Sequence, residues 1–497
     1  MCYYCSAYWN MFNIEQDSSF DFKQFFSPLT KSKAILIIVI LGFFVYFNSL
    51  FNGFVWDDND FIIKNPEVHQ LNIVKLLSPN MFNSGPFYRP IPAIYFATLY
   101  TLFGKQPFFY HVIQITLHFI DTSLLYIYLS FFFSGGLSLF LAILFLVHPI
   151  NGESVVYIGS TQSELYFLFG ILALIIGHKQ NLSRSKVLMV TGLLFLCSMV
   201  KETGFLFILL VIAYRFIFKL KKRKEVLISG ILIGVIYACI RVFVGGVKYK
   251  MNRIIPIAGL TLSQRLLHIP AIMLYYLKTF GFPLQLGVWQ QWTFQTTTFE
   301  NFFFPLIICL IFFLLLFYAA FFLYKHDRKQ FRVFIFFTLW FLSGMGMLLQ
   351  IVPLDMTVAD RWMYFPIVGL LGMLGVGIHT LQLKSSRVKS ALIVAAVILI
   401  GILSLRTIVR NTNWSDEITL YSHDIQVDDD YFKEAMLARD LRDAGMMDQA
   451  VPHYEKSLEF NPYSKIKICH SGQTEKQSNY TCMTMKDAVW QNLGIDE

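Results

Sequence analysis

Charge is scarce in this chain. Asp, Glu, Lys and Arg make up 15% of its 497 residues, hydrophobic residues make up 56%, and mean hydropathy is +0.54. No single soluble core buries so much apolar surface, which excludes a water-soluble enzyme or a charged, disordered adaptor and makes a bilayer the solvent. Cysteine is also sparse, seven in all. Metal-ligand spacing is absent beyond Cys2 and Cys5 in "CYYC", which two unpaired thiols explain as well. The alternating polar and apolar strands of a membrane barrel are missing too. The net charge of +9 forms no continuous basic face. Its lysines and arginines sit in short clusters between apolar runs, where they set membrane orientation, so nucleic-acid binding is not expected.

What the chain has is apolar length. Segments near 33–50, 110–131, 135–149, 161–177, 187–200, 204–218, 226–244, 302–324, 332–352, 363–381 and 390–409 predict about eleven transmembrane helices, several of them short. Only helices that satisfy their own backbone cross lipid in such a pattern, so the fold class is an all-α polytopic membrane protein. The first apolar run lacks a small-residue cleavage site after it and reads as a retained helix. Basic residues collect at Lys31/Lys33 and in 178–184, 219–224, 325–332 and 384–389. Counting crossings from a cytoplasmic amino end puts each of those clusters in the cytoplasm, provided that 90–103 and 266–281 lie along the interface. The domains expected are a cytoplasmic segment 1–32, a membrane domain 33–409 with an outer loop 51–109, a helical segment 410–463 and a polar tail 464–497 with no assigned structure. In 410–463, Leu437, Ala438, Gly445, Ala450, Tyr454 and Pro462 stand at the offsets of one tetratricopeptide repeat. Such a segment suits protein contacts, although one copy cannot close a solenoid. Cys469 and Cys482 in the tail could pair if it lies outside the cytoplasm.

The same count gathers the polar islands on the outer, extracytoplasmic or lumenal, face. "GFVWDDNDFIIKNP" (53–66) places Asp57 and Asp58 just beyond the first apolar run, where partial desolvation raises a carboxylate's pKa and makes it a better base. Two adjacent carboxylates could equally hold a divalent cation, or be a solvated loop. Arg89, between prolines in "FYRPIP", offers a planar fork to a phosphate, or snorkels to the headgroups. His148 and Glu153 in "HPINGES", and Glu164 in "STQSELYF", sit at helix ends where charge is unusual unless paired. Lys201 and Glu202 interrupt one apolar hairpin, as a site or as a structural ion pair, and Asp360 and Arg361 interrupt another. Carboxylates and cations on one face suit transfer from a phosphate-bearing donor, with a base on the acceptor and cations on the leaving group.

In order, "FVWDDNDFIIKNP", "YRPIP", "HPINGESVVYIGSTQSELYFL", "KETG", "DRWMYFP" and "NTNWSDEITLY", followed by a tetratricopeptide-like segment, resemble the transmembrane and TPR-containing O-mannosyltransferase-like family of GT-C glycosyltransferases. The likeness runs from about residue 35 to residue 462. It implies an enzyme that moves a sugar, mannose in eukaryotic members, from a polyprenyl (dolichyl-type) phosphate to a hydroxyl such as a protein Ser or Thr. It also implies inversion at the anomeric centre. By that resemblance Asp57 is the general base, and Asp58 assists it or orients the acceptor. Arg89, Lys201 and Arg361 match positions able to contact the lipid phosphate, and His148, Glu153, Glu164 and Glu202 match motif positions without assigned roles. The chain departs from the pattern where Ser160 and Thr161 stand in place of an expected arginine, which leaves the donor sugar open. Readings from other classes are a transporter or flippase, for which two matching Gly/Pro-interrupted halves are lacking, and an inactive scaffold presenting the helical tail.

Overall fold

A computed structural model describes residues 28–78, 88–245, 255–381, 385–460, 467–471 and 480–484, the last two stretches by their backbone alone. Cys2, Cys5, Pro462 and Asn479 lie outside the described residues.

The helix Lys31–Tyr46 shows how these sequences fold in lipid. Thr30 caps it by accepting the Lys33 N–H at 3.3 Å, and a 3-10 turn, Phe47–Phe51, prolongs it. Ala34, Ile38, Gly42 and Val45 face the protein at helical spacing, while Leu36, Ile40, Phe43 and Phe44 stay exposed on the other side. Both faces are apolar because both meet an apolar medium. Small residues mark the packed face: a Cβ on Gly42 would come within 2.3 Å of the Phe119 ring.

All eleven expected segments are helical. Among the described residues seven helices are long and apolar enough to span, and the pair Gly135–Val147 and Pro149–Val156, bent by 51°, makes an eighth if it is taken as one broken span. Three are shorter: Arg184–Val200, Phe205–Ile217 and Pro366–Thr380. The first two are cut apart by Lys201, whose extended backbone (φ −158°, ψ 151°) ends the helix before a 3-10 turn, Glu202–Gly204. The 51° bend has a proline cause: Pro149 has no N–H to donate, and the His148 ring takes over the capping by accepting the Ile150 N–H at 3.2 Å. Helices Pro107–Leu129, Gln162–Gly177, Arg328–Leu348 and Pro366–Thr380 form the buried centre. Phe304–His326, Arg223–Ile240 and Ser386–Thr412 bury only a narrow strip and turn broad apolar faces outward.

After the last long helix, Glu417–Val427, Tyr431–Asp443 and Met447–Phe460 fold back on one another. The turn between the last two is at Gly445, whose φ of +80° a side chain would strain. Leu437, Ala438 and Ala450 are buried where these helices meet. The tail departs from the expectation of no structure, because Lys467–Ser471 pairs antiparallel with Tyr480–Thr484 and places Cys469 opposite Cys482. These two strands are also the exception to an all-helical fold among the described residues.

Candidate active site

The site begins where the first helix hands the chain to the loop. Asn52 donates to the Asn411 carbonyl (3.1 Å) and the Gly53 N–H to the Ser415 carbonyl (2.8 Å), so the last turn of the last long helix and the residues just after it fix the start of the aspartate loop. Trp56 then takes φ +55°, a left-handed conformation that costs a bulky residue about 1–3 kcal/mol and persists only where packing enforces it. Its ring lies 5.2 Å from Tyr157 and 5.8 Å from Trp289, with the Arg361 guanidinium 5.0 Å from its centre.

This turn separates the two aspartates. Asp58 is fully buried with both oxygens engaged: Oδ2 accepts the Val55 N–H (3.1 Å) and Oδ1 the Gly159 N–H (2.6 Å). Asp57 is partly buried. Its Oδ2 accepts the Tyr157 hydroxyl at 3.2 Å, and its Oδ1 makes no hydrogen bond among the described residues. Burial pushes the Asp57 carboxyl up to about 6, against the pull of Arg361 and the Tyr157 hydroxyl, which favour its ionised form. With both Asp58 oxygens committed to backbone N–H groups, the pair does not present the facing carboxylates that a divalent cation takes. No group of three or more His, Cys, Asp or Glu side chains is placed to hold a metal ion among the described residues.

Arg361 acts on Asp57 directly, and through Lys201, which feels the charges of both Arg89 and Arg361, it belongs to a cluster of cations drawn from three other elements. Arg89 precedes the helix Pro90–Phe103 and binds Glu202 through Nε (3.0 Å) and a terminal nitrogen (2.5 Å), with its other terminal nitrogen on Gln162 (3.0 Å). Arg361 pairs with Glu153 side chain to side chain, and its backbone N–H donates to the same carboxylate at 2.8 Å. Burial works against the Arg361 charge, but Glu153 holds its pKa above the ordinary value. Lys201, which feels the charges of both arginines, has no ion pair or side-chain hydrogen bond among the described residues. Burial first, and the charges of Arg89 and Arg361 next, bring its ammonium down to about 7. The adjacent Lys201 and Glu202 thus do not pair with each other: Glu202 serves Arg89, which outweighs its burial and keeps its carboxyl below the ordinary range.

Two candidates sit apart from this cluster. His148 has both ring nitrogens occupied, by the Ile150 N–H and the Phe280 carbonyl (2.9 Å), and its ring stacks on Phe280. Glu164 is fully buried, its carboxylate oxygens unpartnered among the described residues, near a second buried acid, Asp121. Asp121 accepts from Tyr364 (3.0 Å), whose hydroxyl lies 2.9 Å from His118 Nδ1. Sequence reasoning passed over Asp121 and His118, and also Tyr157 and Gln114. A signal was present: His111, Gln114, His118 and Asp121 recur at helical spacing on the buried face of Pro107–Leu129. The Asp424 carboxylate, which accepts the Val288 N–H at 2.6 Å beside Arg410, was overlooked as well.

Helices of spanning length around a buried charged cluster make this an integral, multi-pass membrane protein. Its relatives carry one kind of name. Protein O-mannosyl-transferase F38B6.6 of Caenorhabditis elegans is 24% identical over 475 residues, 88% of this chain and 64% of that protein. Protein O-mannosyl-transferase TMTC3 of Homo sapiens is 31% identical over 152 residues, 28% of this chain and 17% of its own. Protein O-mannosyl-transferase Tmtc2 of Drosophila melanogaster is 33% identical over 92 residues, 18% of this chain and 10% of its own. The chain is therefore similar, across most of its length to the nematode protein and over shorter stretches to the others, to curated proteins named protein O-mannosyl-transferases, in agreement with its motifs. The matches span about a sixth of the human relative and under two thirds of the nematode one. No family model matches the chain. Among solved structures, ArnT from Cupriavidus metallidurans bound to undecaprenyl phosphate aligns over 85% of this chain and 74% of its own, at a TM-score of 0.41 and 13% identity, too loose a likeness to argue from.

Proposed function

We propose that the chain is a GT-C-type membrane glycosyltransferase that moves a sugar from a polyprenyl-phosphate donor to an acceptor hydroxyl, with mannose and a protein Ser or Thr as the substrates its relatives' names favour. In this reading the amino end is cytoplasmic, and the site and carboxyl tail face the lumen or cell exterior. The observation that carries it is the asymmetry of Asp57: one oxygen is anchored by Tyr157, the other is unengaged, and Arg361, whose charge also reaches Lys201, is close enough to act on it electrostatically.

The acceptor hydroxyl gives its proton to Asp57 Oδ1 as its oxygen bonds to the anomeric carbon. The bond from that carbon to the phosphate oxygen breaks, and the phosphate keeps the electron pair. A carboxylate poised near neutral pH suits this step. The leaving phosphate gains charge as the bond breaks, and a cation already placed there stabilises the transition state more than the ground state. Lys201 supplies that charge most directly, since both arginines also answer to carboxylates. One displacement inverts the anomeric centre. Asp58 holds the loop and does not touch the reacting atoms, and Glu153 and Glu202 orient the arginines. The hairpin of Tyr431–Asp443 and Met447–Phe460 is read as one tetratricopeptide-like unit docked beside the site through Phe432 stacked on Trp289 (4.8 Å), while the preceding helix Glu417–Val427 is tied to the aspartate loop by the Asn59 amide on Glu417 (3.0 Å).

Asp57→Asn tests the proposal. It keeps shape and removes the base, so transfer should fall by roughly 10²–10⁴ while donor binding persists. Undiminished turnover by this variant would remove Asp57 from the chemistry.

A further inference from the structure

Tyr157 carries no charge and belongs to none of the acidic or basic islands, yet it touches the reacting side of the site. Its ring is 3% exposed and lies between Trp56 (5.2 Å) and Trp414 (5.6 Å, stacked). Its carbonyl accepts the Gln114 side-chain amide at 2.8 Å, and the same amide reaches the Ser154 carbonyl at 2.8 Å. Two residues on, the Gly159 N–H holds Asp58, and a Cβ on Gly159 would fall 2.5 Å from the Tyr157 hydroxyl oxygen. Tyr157, Ile158 and Gly159 thus grip both aspartates at once, Asp57 by a phenol and Asp58 by a backbone N–H.

We propose that Tyr157 is a positioning residue for Asp57: its hydroxyl pins Oδ2 and turns Oδ1 toward the acceptor. The role rests on the function proposed above. A phenol that donates to a carboxylate favours the ionised form, so it also sets the pH at which Asp57 becomes a base. The other groups acting on Asp57 are Arg361, which favours ionisation, and Asp355 and Asp60, which oppose it. Tyr157→Phe removes the donor and keeps the ring between its two tryptophans.

The test is Tyr157→Phe in the full chain, read in two ways. The acid limb of kcat/KM should move up by about one pH unit, the worth of a hydrogen bond to a charged group, with KM for the donor unchanged. Difference infrared titration of the Asp57 carboxyl, assigned by subtracting Asp57→Asn, should show the same shift without any turnover. A variant that loses activity with the Asp57 titration unmoved overturns the proposal, since a merely structural tyrosine gives that result. A shifted titration in a chain whose wild type transfers no sugar upholds the hydrogen bond and overturns the proposed function instead.

Discussion

Lys201 and Asp57 titrate on opposite sides of a narrow window, and the rate should record both. Asp57 must be ionised, so activity rises as pH climbs through about 6; Lys201 must be protonated, so activity falls as pH climbs through about 7. With those values about 60% of the free enzyme holds both groups in working form at pH ~6.5, falling to roughly 9% at pH ~5 and roughly 3% at pH ~8.5. The predicted kcat/KM profile is a bell with flanks at about 6 and about 7. A bound phosphate favours the ammonium, so the alkaline flank of kcat lies higher than that of kcat/KM. Lys201→Arg keeps a cation that does not titrate in this range and should erase the alkaline flank while leaving the acid one. Lys201→Met removes the charge and should cost roughly 10²–10³ in kcat, the usual loss for one stabilising donor at a developing anion. The assay is label transfer from a polyprenyl-phosphate sugar at fixed ionic strength between pH ~5 and ~9. An alkaline flank that survives in Lys201→Arg, or a wild-type rate still climbing at pH ~9, would refute this assignment of Lys201.

Gly159→Ala should lower the thermal unfolding temperature in detergent, because the new methyl drives into a ring that Trp56 and Trp414 hold from both sides, an overpacking cost of about 1–3 kcal/mol. It should also raise the acid limb as Tyr157→Phe does; an unchanged profile would mean that the ring can yield without releasing Asp57. If the tail lies in the lumen, Asn479 in "NYT" should carry a glycan when the chain is made in a eukaryotic secretory host, read as an endoglycosidase-sensitive gel shift that Asn479→Gln abolishes. An unmodified Asn479 counts against the orientation.

The helices were readable because burial in lipid needs only length and apolarity, and the charged islands stood out because each interrupts such a run. Their pairings were not readable. Lys201 and Glu202 are neighbours in sequence, but the extended backbone at Lys201 separates them, and Glu202 meets Arg89 from 113 residues away. Nor could the motif say which aspartate is the reactive one. That depends on the Gly159 N–H, 101 residues on, which occupies Asp58 and leaves Asp57 with an unengaged oxygen. The stripe of His111, Gln114, His118 and Asp121 stayed hidden for another reason: averaged over a membrane-length window, its apolar neighbours outweigh four polar residues. Trp56 illustrates a third limit, since its positive φ is imposed by tertiary packing and no local propensity announces it.

The central claim is sugar transfer from a lipid phosphate, and the direct measurement offers purified wild-type protein a panel of radiolabelled polyprenyl-phosphate sugars with a mixed Ser/Thr peptide pool. The account predicts label on peptide hydroxyls, with the anomeric configuration inverted relative to the donor and lost with Asp57→Asn. Folded, monodisperse protein that labels no acceptor from any donor, or product with the donor's configuration retained, would contradict it.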